Sequence, residues 1–228
     1  MSMYPFPPAP IATVPIAGGA QRFPVHRIYC IGRNYAEHAK EMGSAPEKGT
    51  PVFFMKPADA VVCDGRDPRF PPGTGNLHHE VELVVALGSG GADIALADAL
   101  GHVYGYAVGV DLTRRDLQAA AKARGNPWDT AKGFDDSAPL AAIVPAQGRH
   151  PQAEVLTLSV NGVERQAASV ADLLWPVAEI IHELSRLYTL CAGDLIFTGT
   201  PAGVGPLRRG DVVECRLQGW SDLRFAMV

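Results

Sequence analysis

Three acidic residues border apolar, strand-like runs of the sequence. Glu80 and Glu82 open the run that ends at Leu87, and Asp111 follows the run Val103–Val110. Side chains two residues apart in a strand share a face, so Glu80 and Glu82 should repel each other unless a cation lies between them. Three carboxylates without a thiolate suit a hard cation such as Mg²⁺ or Mn²⁺. The pattern alone leaves open a solvated Glu-x-Glu pair and a capping aspartate.

A histidine and a glutamate form a second candidate pair. His38 and Glu41 lie three residues apart in a helix predicted over 35–42, with Asn34 as its N-cap and Gly43 as its end. A carboxylate beside an imidazole fixes the tautomer of the ring and raises its basicity, which suits a general base acting on water. The alternative is an ordinary surface pair on an amphipathic helix.

Four further polar side chains could complete such a site. Arg115 and Gln118 lie three apart near the start of a helix predicted over Arg114–Arg124, just after the third carboxylate. Lys132 lies in a glycine-containing turn, and Lys56 follows three apolar residues. For each of them, a solvated surface position is the competing interpretation.

The segment TGTPAGVG, Thr198–Gly205, follows a predicted strand and offers many backbone N–H and hydroxyl donors, Thr200 among them. Such a loop suits the carboxylate of a substrate. Its glycines lack the spacing of a P-loop or of a dinucleotide-binding turn. The sequence also contains no Gly-x-Ser-x-Gly elbow, which argues against a serine hydrolase of the α/β type. A plain turn is the alternative.

Composition limits the class of protein. The chain has 228 residues, 47% of them hydrophobic, and 20 basic against 24 acidic residues give a net charge of −4. This describes a globular chain without the basic excess of a nucleic-acid-binding protein. No apolar stretch is long enough to span a membrane, and the N-terminus does not resemble a signal peptide. Four dispersed cysteines predict reduced, buried thiols and a cytoplasmic location: Cys30, Cys63, Cys191 and Cys215.

Most of the chain has the pattern of strands. The predicted strands are Pro51–Met55, Val81–Leu87, Val103–Val110, Val155–Val160, Leu195–Thr198, Val212–Leu217 and Leu223–Val228. Strands and helices do not alternate regularly, which disfavours a doubly wound parallel sheet. We therefore expect an α+β, mainly β fold: a mixed, mostly antiparallel core with peripheral helices. Residues 1–26 are proline-rich and should form an extended arm before a main domain at 27–228.

Taken together, the motifs resemble those of the fumarylacetoacetate hydrolase family, and most closely its bacterial fumarylpyruvate (acylpyruvate) hydrolase branch. They occur in order over about residues 27–228. The segments are Ile31–His38 (IGRNYAEH), Phe54–Pro57 (FMKP), His78–Leu83 (HHEVEL), Gly109–Gln118 (GVDLTRRDLQ), Ala131–Phe134 (AKGF) and Thr198–Gly205.

The resemblance implies a mixed β-sandwich roll with flanking helices and a homodimer. It implies that Glu80, Glu82 and Asp111 hold Mg²⁺ or Mn²⁺, and that His38 and Glu41 form the catalytic dyad. It gives Lys132 a catalytic place near the metal. The residues expected to contact substrate are Lys56, Arg115, Gln118 and Thr200.

The implied activity is hydrolysis of a C–C bond in an acylpyruvate, a 2,4-dioxo acid such as fumarylpyruvate, to pyruvate and a carboxylic acid. Oxaloacetate decarboxylation and 2-oxo-diene isomerisation are alternatives within the same family, because both need the same electron sink without a hydrolytic water. A non-catalytic, metal-stabilised binding protein is an alternative of a different class.

Overall fold

The computed structural model describes residues 4–43 and 47–228, which form strands and a few short helices. The strands are β1 (Thr13–Pro15), β2 (Arg22–Pro24), β3 (Ile28–Gly32), β4 (Val52–Lys56), β5 (Val61–Val62), β6 (Leu77–His79), β7 (Val81–Leu87), β8 (Val103–Val110), β9 (Thr113–Arg114), β10 (Ala138–Pro139), β11 (Val144–Pro145), β12 (Val155–Val160), β13 (Val163–Ser169), β14 (Leu195–Phe197), β15 (Gly205–Leu207), β16 (Val212–Leu217) and β17 (Ser221–Ala226). The α-helices are α1 (Ala36–Glu41), α2 (Arg115–Arg124), α3 (Asp129–Lys132) and α4 (Val177–Ser185), and single 3-10 turns cover Ala58–Ala60, Ala99–His102 and Val170–Asp172.

Two large sheets form the core. The central sheet has the order β11-β8-β7-β14-β3-β4, in which only β14 and β3 are parallel. The antiparallel sheet β13-β12-β16-β17 packs against β7 and β8. A small sheet, β15-β6-β9, lies beside the start of β7. This arrangement confirms the mixed, mainly β, α+β fold.

Several element boundaries follow the sequence pattern closely. Strands β7, β8, β12 and β16 have the predicted bounds, and the other predicted strands differ at their ends by no more than two residues. Every residue of β7 is buried, because this strand lies between two neighbours with covered faces. Asn161 and Gly162 have φ angles of 52° and 76° and turn the chain from β12 into β13, as the Asn-Gly pair predicts.

Asn34 does not cap the first helix, and that prediction is wrong. Helix α1 begins after Tyr35, and no side chain caps it. The Asn34 amide is fully buried and donates to the Thr198 carbonyl at 2.7 Å and to the Trp175 carbonyl at 3.0 Å. Its oxygen accepts from the Trp175 N–H at 2.7 Å. Tertiary partners therefore replace the local helix partner that the sequence indicates.

The four cysteines are free thiols. Three are buried as expected, but Cys191 is only half-buried, because it lies in the turn before β14. In the arm, Val14 of β1 and Phe23 of β2 are buried against the core. Among the described residues, no helix is long and apolar enough to cross a membrane.

Replacing Asn34 with alanine should lower the free energy of unfolding by about 2–4 kcal/mol, since it removes three hydrogen bonds and leaves buried backbone groups unpaired. Urea denaturation measures this loss. Asn126→Ala is the matched control, because Asn126 is exposed and should change stability by less than about 0.5 kcal/mol. Equal effects of the two substitutions would contradict the bridging role of Asn34.

Candidate active site

The pairing of β7 with β8 brings the three acidic residues together. Val81 is opposite Val110, and the Asp111 N–H donates to the Glu80 carbonyl at 2.8 Å. The side chains of Glu80, Glu82 and Asp111 are buried, and one carboxylate oxygen of each lies within 4.8 Å of the others. The end of one strand pair thus collects three carboxylates from two separate sequence motifs.

Lys132 is the central cation of this cluster. Its Nζ donates to Glu80 Oε2 at 2.7 Å, to Asp111 Oδ2 at 2.6 Å and to the Thr113 hydroxyl at 2.7 Å. Lys132 is buried at the end of α3, a helical turn where the sequence indicated only a glycine-containing turn. Burial opposes its charge, but Asp111 and Glu80 outweigh burial and raise the pKa of Lys132. All three ammonium protons therefore have acceptors within the protein.

Lys56 and Arg115 supply two further buried cations. Lys56 Nζ lies 2.8 Å from Asp111 Oδ1 but donates its hydrogen bonds to the carbonyls of Leu112 and Lys132. Arg115 donates to Glu80 and to the amide oxygen of Gln118. Burial would raise the pKa of Glu80, yet Lys132 and Arg115 hold it below its usual range. The solvated positions considered for these side chains do not occur.

His78 accepts a hydrogen bond from the same arginine. Arg115 Nε lies 3.4 Å from His78 Nδ1, and Asn76 Oδ1 lies 2.9 Å from the other ring nitrogen of His78. Burial and the charge of Arg115 lower the pKa of His78 to about 4, so the ring is neutral at pH 7. A neutral imidazole can accept at Nδ1 and helps to orient the guanidinium.

Glu82 is the incompletely compensated member of the cluster. It accepts one hydrogen bond, from the Gly199 N–H at 2.7 Å, and among the described residues no lysine or arginine forms an ion pair with it. Burial, and then the charges of Asp111 and Glu80, raise the pKa of Glu82 well above its usual range. Asp111 Oδ1 also lacks a hydrogen-bond donor. A buried carboxylate without a cationic partner, beside two other buried carboxylates, fits a divalent cation.

The predicted pair of His38 and Glu41 is formed on α1. His38 Nδ1 lies 3.0 Å from Glu41 Oε2, and the Gly203 N–H donates to Glu41 Oε1 at 3.1 Å. The His38 ring is buried and lines the same pocket as the carboxylates. With Nδ1 held by Glu41, the other ring nitrogen is available as a proton acceptor.

Two backbone N–H groups of the glycine-rich loop donate to carboxylates of the protein itself. Gly199 holds Glu82, and Gly203 holds Glu41. Gly203 has a φ of +95°, and a Cβ there would lie 2.0 Å from the Arg165 carbonyl oxygen, so the loop requires glycine. The buried Thr200 lines the pocket, where its hydroxyl accepts from the side chain of Gln166 at 2.8 Å.

Gln166 is a site residue that the sequence did not reveal. It comes from β13, whose other residues are exposed or half-buried. Its side-chain oxygen lies 2.9 Å from His79 Nδ1 and accepts from Val81 N–H, and its amide donates to the hydroxyl of Thr200 and to the carbonyl of Pro201. No local pattern marks this one inward side chain, because its partners are about 35 and 85 residues away.

Four residues at the pocket mouth were also missed: Arg33, Phe54, Lys122 and Trp128. Lys122 had a usable signal, since residues 115, 118 and 122 have the spacing of one helix face. Phe54 opens the FMKP segment but had been given no role, and Trp128 lies outside every motif of the resemblance.

The buried carboxylate cluster and its dyad are those expected of a metal-dependent enzyme of the fumarylacetoacetate hydrolase type. The family model described as the C-terminal part of fumarylacetoacetate (FAA) hydrolase matches residues 27–228, and the chain belongs to this family.

Both curated and structural relatives are similar over nearly the whole chain. The Escherichia coli (strain K12) protein named oxaloacetate tautomerase YcgM is 44% identical over 90% of this chain and 94% of its own. A crystal structure of fumarylpyruvate hydrolase from Pseudomonas aeruginosa with Mn²⁺ and pyruvate has a TM-score of 0.96 and 47% identity, and covers 99% of both chains. A putative fumarylpyruvate hydrolase from Burkholderia cenocepacia has a TM-score of 0.92 and 49% identity, with coverages of 100% and 95%.

Glu82→Gln should weaken Mn²⁺ binding by more than roughly 100-fold, since loss of an outer partner alone costs 10–100-fold. The same change should stabilise the metal-free protein at pH 7–8, because the raised pKa makes the buried charge destabilising there. The gain should vanish near pH 4, below the unfolded-state pKa, where the group is protonated in both states.

Calorimetric titration with Mn²⁺ and urea denaturation of the metal-free protein measure the two effects. Glu214→Gln, at an exposed ion pair on β16, is the matched control and should change neither. Wild-type Mn²⁺ affinity in Glu82→Gln would contradict the metal site.

Proposed function

We propose that the protein is a metal-dependent hydrolase that cleaves the C–C bond of an acylpyruvate such as fumarylpyruvate. The observation that carries this proposal is the His38–Glu41 pair beside the buried carboxylate cluster. His38 can act as the base that takes a proton from water, and the carboxylates beside it can hold a cation. The similarity to a fumarylpyruvate hydrolase over 99% of the chain supports it.

Glu80, Glu82 and Asp111 would hold Mg²⁺ or Mn²⁺. When bound, the cation would attract the 2-oxo-acid end of the substrate and stabilise the negative charge that develops on it. The hydroxyl of Thr200 faces the same pocket, held by Gln166, and can contact the substrate carboxylate. Lys132, Lys56 and Arg115 keep the carboxylates in place.

His38 would take a proton from water, and the resulting hydroxide attacks the C4 carbonyl of the substrate. The C3–C4 bond then breaks, which leaves a carboxylic acid and the enolate of pyruvate. The protonated His38 returns its proton to C3, so that one water is consumed and pyruvate is released. Glu41 stabilises the imidazolium between these two transfers.

Gln118 is our candidate for stabilising the C4 oxyanion. Its carbonyl oxygen accepts from Arg115, so the two protons of its amide are left for the pocket. The resemblance to the family implied a catalytic place for Lys132 near the metal, but the three protons of that ammonium group already have acceptors. Lys132 is therefore better assigned to holding the metal ligands.

Oxaloacetate tautomerisation is the second candidate function, because the Escherichia coli relative carries that name at 44% identity. Decarboxylation of oxaloacetate and 2-oxo-diene isomerisation use similar enolate chemistry. None of these reactions consumes water, which separates them from hydrolysis. We further propose a cytoplasmic homodimer, and light scattering of the purified protein tests the dimer.

The test is turnover in H₂¹⁸O with Mg²⁺ or Mn²⁺ on three substrates: fumarylpyruvate, acetylpyruvate and oxaloacetate. The hydrolase should form pyruvate from an acylpyruvate and place one ¹⁸O in the released acid. Loss of oxaloacetate enol absorbance without pyruvate would support the tautomerase, and pyruvate with CO₂ would support the decarboxylase. Failure of both acylpyruvates to react would refute the hydrolase.

His38→Ala should lower hydrolytic kcat by roughly 10²–10⁴ because the general base is lost. Mn²⁺ affinity should stay within about twofold, since His38 is not among the metal ligands. Lys40→Ala on the same helix is the control, because Lys40 is exposed and pairs with Glu37 outside the pocket. Undiminished turnover in His38→Ala would remove the dyad from the mechanism.

A further inference from the structure

Two cationic side chains at the pocket mouth have no anionic partner among the described residues. Arg33 follows β3 with a φ of 60° and is exposed, and Lys122 is half-buried on the face of α2 that carries Arg115 and Gln118. Both line the pocket. Neither side chain forms an ion pair or a hydrogen bond with the residues described here, and the six remaining residues of the chain include no acid.

The buried carboxylates inside the pocket do not need Arg33 and Lys122 as partners. Three buried cations, Lys56, Arg115 and Lys132, already pair with the carboxylates of Glu80 and Asp111, so Arg33 and Lys122 are additional. Burial, followed by the charges of Arg115 and Arg33, lowers the pKa of Lys122. A half-buried ammonium group beside two guanidinium groups is unfavourable in the free protein, and an anionic ligand would relieve that repulsion.

An aromatic wall connects the carboxylate cluster to this mouth. Lys132 Nζ lies 4.9 Å from the ring centre of Phe54, the Phe54 and Trp128 rings are 5.8 Å apart, and Lys122 Nζ lies 5.2 Å from the Trp128 ring centre. The contact with Trp128 orients the Lys122 ammonium group without neutralising it. A ligand lying along this wall would have one end at the cluster and the other at Lys122.

We propose that Arg33 and Lys122 form an anion subsite for the second carboxylate of a dianionic 2-oxo acid. The inference rests on the proposed function in placing the 2-oxo-acid end at the carboxylate cluster. It specifies the acyl group: the substrate carries a carboxylate at the end remote from the reacting carbonyl. The Phe54 and Trp128 rings would contact the apolar chain between the two ends.

Binding to the Mn²⁺-loaded protein tests the subsite without turnover. The matched probes are 2-oxoglutarate and 2-oxopentanoate, which share the 2-oxo-acid end, have equal chain length and differ by a carboxylate against a methyl group. By calorimetry, wild type should bind the dianion roughly 10–100-fold more tightly, as expected for hydrogen bonds to a charged group. This preference should decrease as salt is added.

Lys122→Gln and Arg33→Gln should each remove most of the preference while 2-oxopentanoate affinity stays within about twofold. Lys122→Arg should retain it. Arg216→Gln, at an exposed ion pair on β16, loses the same charge far from the pocket and should leave both affinities unchanged. The subsite would be overturned if Lys122→Gln and Arg33→Gln weakened the binding of both probes equally, or if wild type bound the two probes with equal affinity.

Turnover separates this inference from the proposed function. A preference for 2-oxoglutarate that depends on Lys122, without hydrolysis of any acylpyruvate, would refute the hydrolase and support the subsite. Equal kcat/KM for fumarylpyruvate and acetylpyruvate, unchanged in Lys122→Gln, would support the hydrolase and refute the subsite.

Discussion

Three carboxylates buried within a few ångströms of each other set the main constraint on this structure. Uncompensated charges in such a position cost several kcal/mol each, so the fold must deliver cations to them. The end of β4 brings Lys56, the start of α2 brings Arg115, and the single turn of α3 brings Lys132. These otherwise minor elements are therefore tied to the centre of the molecule. The compensation is uneven, because no cationic side chain among the described residues pairs with Glu82, where a metal ion would be useful.

The loop after β14 links the carboxylate cluster to the His38–Glu41 pair. Its first glycine holds Glu82 and its second holds Glu41, so the distance between the proposed metal site and the proposed base depends on one short backbone segment. Gln166 supports the hydroxyl between them from a different sheet. The same frame would serve the proposed hydrolysis and the tautomerisation for which a similar Escherichia coli protein is named, because both reactions pass through an enolate.

Sequence patterns predicted correctly the features that depend on residues close together in the chain. The bounds of β7 and β8, the turn at Asn161-Gly162 and the shared face of His38 and Glu41 all follow from local periodicity or turn chemistry. Local rules failed for Asn34, whose side chain bonds across the fold, and for Gln166, whose partners are far away in sequence. The sequence also did not indicate that Lys132 is buried. A lysine in a short turn has the pattern of a surface residue, and only the three-dimensional structure shows its two acidic partners. That Glu80, Glu82 and Asp111 share one site followed from the resemblance to a family rather than from spacing.

Gly203 shows how a residue far from the chemistry can limit the evolution of the enzyme. Any side chain there would meet the Arg165 carbonyl, and the resulting shift of the loop would also withdraw the N–H that holds Glu41. A single codon change would thus damage packing and base orientation together, and no second change at the dyad could restore both. Arg33 and Lys122 lie outside that loop, so substitutions in the proposed anion subsite would leave its backbone undisturbed.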